Sequence, residues 1–101
     1  MVRRVIWARR ARGDLREIYD HIARDSRKYA QAQIQRIQDA AARPSRHPRI
    51  GRPVPEFPEE PWRELLEGSN RIIYRLSSDE TEVRILAIVH GRRVLRRSLV
   101  V

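Results

Sequence analysis

At 101 residues the chain has room for one small domain around a single core, and a 41% apolar content argues against global disorder despite 35% charged residues. The absence of cysteine excludes disulfides and thiolate metal sites, and the apolar runs are too short for a membrane span or a signal peptide, so the expectation is a soluble, cytoplasmic protein with no membrane partner. The net charge of +9 rests on arginine, since Lys28 is the only lysine, and the planar donor fork of arginine suits phosphates and carboxylates in a polyanionic partner.

In chain order, Val2–Trp7 is β-branched and aromatic and predicts a first strand. Ala11, Leu15, Ile18, Tyr19 and Ile22 then recur at helical spacing between charged residues, predicting an amphipathic helix over roughly residues 9–24. Asp25-Ser26 stops that helix and caps a second one, whose apolar stripe is read as Tyr29, Ala30, Ile34, Ile37 and Ala41. All six prolines lie between Pro44 and Pro61, which predicts a long ordered loop.

Trp62–Glu67 resumes as a strand closed by Gly68-Ser69-Asn70. Two runs rich in Ile, Val, Leu and Tyr flank the polar turn 77–81 and predict a hairpin over Arg71–Val89. In its first run Ile73 and Arg75 share one face, with Ile72, Tyr74 and Leu76 on the other. Ile85–Val89 is continuously apolar, as in a strand covered on both faces. A basic tail from Arg92 to Val101 closes the chain. The order β-α-α-β-β-β describes one α+β domain over residues 1–101, with a helical hairpin packed on a small, mainly antiparallel sheet. Residues 1–55 and 83–101 carry +9 and +5, while residues 56–82 carry −5.

The buried strand ends in His90-Gly91-Arg92-Arg93, which places a group able to exchange protons near neutral pH beside two cations. His21, His47 and His90 lack the spacing of a metal site, the acidic residues follow no calcium-loop pattern, and the scattered glycines form no phosphate-binding loop, so neither metal nor cofactor is expected. Trp7 and Tyr74 are assigned to the core, Trp62 at a strand start is read as core with base stacking in a nuclease as its alternative, and Arg71 and Arg75 have cross-strand partners available in Glu64, Glu67 and Glu82.

Several segments resemble the toxins of the ParE/RelE superfamily from type II toxin–antitoxin systems. They are Trp7 with Ala11 and Asp14-Leu15-x-x-Ile18, then Ala30–Ile37, Pro48-x-x-Gly51-Arg52, Arg63-Glu64, Arg71–Tyr74 and Ile85–Arg93. The resemblance covers nearly the whole chain in order. It implies a cytoplasmic toxin neutralised by a cognate antitoxin with an acidic, partly disordered tail. That tail is expected along the two helices and an exposed sheet edge.

The superfamily has two activities. RelE-like members cut mRNA in the ribosome. On that reading His90, Arg71 and Arg93 are the catalytic candidates, with Arg63, Arg75 and Arg92 holding RNA or another target. ParE-like members are not enzymes and poison DNA gyrase. The His90-Gly91 ending with following arginines is similar to the ParE-like one. In the C-terminal position where RelE-like enzymes carry a tyrosine, this chain reads Arg97-Ser98-Leu99, and their lysine-rich loop is replaced by the proline-rich, acidic segment 53–61. The resemblance therefore implies a gyrase inhibitor, with a ribosome-dependent endoribonuclease as the alternative and a degenerate antitoxin-binding module as a further one.

Overall fold

A computed structural model describes residues 2–91 and 93–101. Strand β1 (Arg4–Trp7) leads into helix α1 (Arg9–Ala23) and helix α2 (Arg27–Ala42), followed by a short 3-10 turn at Arg43–Ser45. Strands β2 (Arg52–Pro53), β3 (Trp62–Glu67), β4 (Asn70–Leu76) and β5 (Glu82–His90) complete a five-stranded sheet in the order β1-β5-β4-β3-β2. β1 runs parallel to β5 and the other pairs are antiparallel.

The helical hairpin and the sheet agree with the sequence reading, with one additional strand. β2 lies inside the stretch read as loop and pairs with Glu64 and Arg63 of β3. Two residues carry no periodicity to read, and at the sheet edge Pro53 costs no ladder hydrogen bond. Between the helices, the Ser26 side chain accepts from the Tyr29 amide at 3.1 Å and caps α2 as expected. Tyr29 itself is 65% exposed rather than part of the buried stripe. Ala30, Ile37 and Ala41 follow the 3–4 spacing inward, and Tyr29 stands one residue, about 100°, away from that line.

Each sheet face carries its own core. Ala11, Ile37, Ala40 and Ala41 of the helices pack on Ile72, Tyr74, Val83, Ile85 and Ile88. On the far face, Val54 and Phe57 of the proline-rich segment and Leu95, Leu99 and Val100 of the tail cover Trp62, Ile73, Ala87 and Val89. A register shift between Ile73 and Tyr74 leaves Leu86 as the extra residue of β5. That bulge explains the apolar run: Val83 and Ile85 point to the helices, Leu86 and Ala87 to the far face, and the alternation then resumes.

The proline-rich segment wraps around the β3 edge. Before the edge, the buried Tyr74 hydroxyl accepts from the Gly51 amide at 2.9 Å and donates to the Pro48 carbonyl at 2.8 Å. Gly51 passes so close that a Cβ there would meet the Glu64 carbonyl oxygen and the Tyr74 ring at 2.7 Å. After the edge, Arg97 of the tail lies 4.8 Å from the Phe57 ring centroid and pairs with Glu59 and Glu60, while Arg10 of α1 donates to the Ser98 carbonyl at 3.0 Å. The basic first and last segments of the chain thus meet.

Candidate functional site

Strand alternation decides which candidate residues share a surface. Arg71 pairs with Leu66 and Val89 in register, and its side chain enters the far face. There it is buried in a four-residue network. Its Nη1 and Nη2 donate to the two carboxylate oxygens of Glu56, both at 2.7 Å, and its Nε donates to Glu64 Oε1 at 2.9 Å. Nη2 also donates to Glu64 Oε1. Glu64, whose side chain has no solvent exposure, is held from its other oxygen by Arg52 Nε and Nη2 at 2.7 Å. Four of the five guanidinium N–H groups of Arg71 are therefore engaged by carboxylates.

The electrostatics match this geometry. The hydrogen bonds it donates to Glu56, and then those to Glu64, raise the Arg71 guanidinium above its ordinary value against the cost of burial. Arg71 in turn holds the Glu56 carboxyl below the usual carboxylate range. Of this network the sequence reading pairs Arg71 with Glu64, leaves the Arg52–Glu64 pair unread and does not reveal Glu56 at all. Glu56 sits among prolines, 15 residues from its partner, and its acidity within the −5 segment was the only available signal.

His90 lies on the opposite side of the sheet. It pairs with Asn70 at the end of β5, is exposed, and lines a cleft of about 330 Å³ against α1. Arg93 lines the same cleft, and its amide donates to the His90 carbonyl at 2.9 Å. Asp14, Glu17 and His21 form the α1 wall. The Asp14 carboxylate accepts from the Ile88 amide at 2.9 Å, capping the β5 edge beyond the end of β1. Burial pushes its carboxyl above the ordinary value, opposed by the Ile88 amide and Arg10. The sequence pattern around Asp14 was visible, but its role as a strand cap was not.

The structure thus brings His90 and Arg93 together and keeps Arg71 on the other face. Arg63 is half-buried on the helix side, where its Nη1 donates to the Gly51 carbonyl at 2.7 Å. Arg75 lies on the far face opposite Arg84, and Arg92 lies outside the described residues. Trp62 is 4% exposed, with its ring edge-to-face against Phe57 at 5.6 Å, so it offers no open surface for a base. Among the described residues no group of three or more histidines and carboxylates is arranged to hold a metal, and no helix is long and apolar enough to cross a membrane.

A separate groove runs between the helices. Leu15, Tyr19 and Ile34 form its apolar floor, with Arg12, Arg16 and Asp20 along it.

Comparison with known proteins places this architecture. The family described as the ParE toxin of the type II toxin–antitoxin system parDE matches residues 5–95. No curated protein matches the sequence. Among solved structures, the chromosomal ParDE system of P. aeruginosa is similar at 27% identity and a TM-score of 0.72, over 88% of this chain and 96% of that one. The RelBE2 toxin–antitoxin complex of Mycobacterium tuberculosis follows at 24% identity and a TM-score of 0.65, covering 89% and 99% of the two chains. A free RelE toxin mutant of E. coli shares the fold at 15% identity and a TM-score of 0.63, over 91% of this chain and 86% of that one.

Proposed function

This chain belongs to the ParE toxin family, a type II toxin–antitoxin family, and on that premise we propose that it poisons DNA gyrase in the cytoplasm and is held inactive by a cognate antitoxin. The observation that carries the choice of target is the placement of Arg71. A phosphodiester-cleaving site needs a proton-transfer group and cations around one reacting phosphate. Here His90 and Arg71 lie on opposite faces of the sheet, and the Arg71 guanidinium is engaged by Glu56 and Glu64. Arg71 is then a framework residue that fixes the proline-rich segment, and toxicity resides in binding rather than bond cleavage.

The α1–α2 groove supports the antitoxin half of the reading. An acidic, partly apolar tail laid along it would place apolar side chains on Leu15, Tyr19 and Ile34 and carboxylates beside Arg12 and Arg16. Such binding weakens as salt rises.

The test is a supercoiling assay with purified gyrase, run beside a ribosome-dependent mRNA cleavage assay. The expected result is loss of supercoiling with accumulation of cleaved DNA, relieved by the antitoxin, and intact mRNA. One observation favours a second reading: His90 and Arg93 share a cleft with Asp14 and His21, which supplies groups for acid–base chemistry. Cleavage of ribosome-bound mRNA that is lost in His90→Ala, with supercoiling unaffected, would establish that alternative.

A further inference from the structure

On the far face, toward the β4–β5 turn, Arg75 and Arg84 stand directly opposite each other on adjacent strands. Arg84 is exposed, Arg75 is half-buried, and among the described residues neither side chain has a hydrogen-bond or ion-pair partner. Like charges directly across an antiparallel pair destabilise the sheet. Glu82, two residues before Arg84 on the same strand, is paired with Arg4 instead. In register their row runs from the buried Trp62 through Arg75 and Arg84 to the half-buried Ile6, so the open part of the row is Arg84 and the exposed half of Arg75.

We infer that Arg75 and Arg84 form a docking strip for the phosphodiester backbone of duplex DNA. Two arginines in register on adjacent strands put two positive charges on one patch of the sheet, which suits a polyanion whose phosphates would remove their mutual repulsion. An acidic peptide is less suited to this surface, because peptide docking also needs apolar anchors and these lie in the α1–α2 groove. Single strands bind through open aromatic platforms, whereas Trp62 is buried against Phe57 and under Arg97. The inference rests on the gyrase reading, in which the toxin works beside a DNA-bound enzyme. The strip would hold the duplex next to that enzyme.

The experiment measures binding of the full chain to a fluorescent DNA duplex by anisotropy across a salt series. It compares the chain with Arg75→Gln/Arg84→Gln, and with Arg24→Gln/Arg27→Gln, which removes the same charge where α1 ends and α2 begins. Losing two phosphate contacts lowers the slope of log affinity against log salt by about 1.8. Between about 50 and 200 mM salt the unmodified chain should therefore lose roughly tenfold more affinity than the strip variant. The helix-link variant should keep the steeper slope. Because the strip pair is repulsive, its removal should leave the melting temperature unchanged or raised, which separates this role from a structural one. Arg84→Gln alone, at an exposed site, keeps the test valid if the double variant folds poorly.

Equal slopes for all chains, an equal loss in the helix-link variant, equal binding of an RNA duplex, or stronger competition by an acidic peptide would each overturn the proposal. Gyrase is absent from the binding assay, so the two readings fail separately. Equal slopes in a chain that still inhibits supercoiling reject only the strip, and strip-dependent binding in a chain that spares gyrase rejects the gyrase reading.

Discussion

Replacing Arg71 by methionine keeps an apolar stem in the far-face core and removes the guanidinium that joins Glu56 and Glu64. The two acids respond differently. Glu56, with 36% of its side chain exposed, returns to water at little cost. Glu64 has no exposure, and it keeps only Arg52, whose own side chain is 63% exposed. Breaking a buried pair from one side costs about 3–5 kcal/mol, and the surviving Arg52 contact puts this case near the lower end, about 3 kcal/mol. For a domain of this size that lowers the melting temperature by roughly 12–24 °C.

Urea unfolding followed by circular dichroism measures the loss directly. The companion variant Arg71→Met/Glu64→Met removes both buried charges and should recover at least half of it, because apolar replacements of similar volume substitute well for buried pairs. The pH dependence provides a further check. The Arg71 hydrogen bonds hold the folded Glu56 carboxyl below its ordinary value of 4.5. Its stabilisation is therefore complete above that value and disappears as pH falls through the folded one. Arg71→Met should flatten this acid limb. A loss below about 1 kcal/mol, or a double variant no more stable than the single one, would refute the assignment of Arg71 as the framework of this face.

Three further perturbations probe the Tyr74–Gly51 contact and the Asp14 strand cap. Tyr74→Phe strands the Gly51 amide and the Pro48 carbonyl, and should cost about 1–3 kcal/mol in urea unfolding while far-UV circular dichroism stays native. Gly51→Ala forces a methyl against backbone and ring at 2.7 Å, and a loss of about 1–3 kcal/mol with a locally displaced proline-rich segment is expected by amide exchange. For Asp14, burial raises the folded carboxyl above its ordinary 3.8, so its charge opposes folding at neutral pH and that opposition fades as pH falls through the folded value. Asp14→Asn retains an acceptor for the Ile88 amide. It should match or exceed the unmodified chain in stability at pH 7, with the difference narrowing toward pH 4.

The elements legible in the sequence were those with a strong period. The helical stripe from Ala11 to Ile22 and the hairpin around the turn 77–81 form as their spacing implies. The proline cluster likewise marks an irregular segment, although no pattern could disclose the two-residue β2 within it. Less was legible where function depends on which face a side chain occupies. The apolar run Ile85–Val89 conceals the bulge at Leu86, because every residue there is apolar whichever way it points. Phase beyond a bulge cannot be counted from alternation, so the separation of His90 from Arg71 emerges only from register. The Arg71–Glu64 pair was among the cross-strand partners read from the sequence. Its extension to Glu56 required the segment to fold back over the sheet, a long-range closure that local spacing does not encode.

The most direct test of the functional account is pulse labelling after the chain is induced without its antitoxin, with DNA synthesis and protein synthesis followed separately. The account predicts early arrest of DNA synthesis while protein synthesis continues, retained when His90 is changed to alanine. Early arrest of protein synthesis that depends on His90 would contradict it and assign the cleft beside α1 to RNA cleavage.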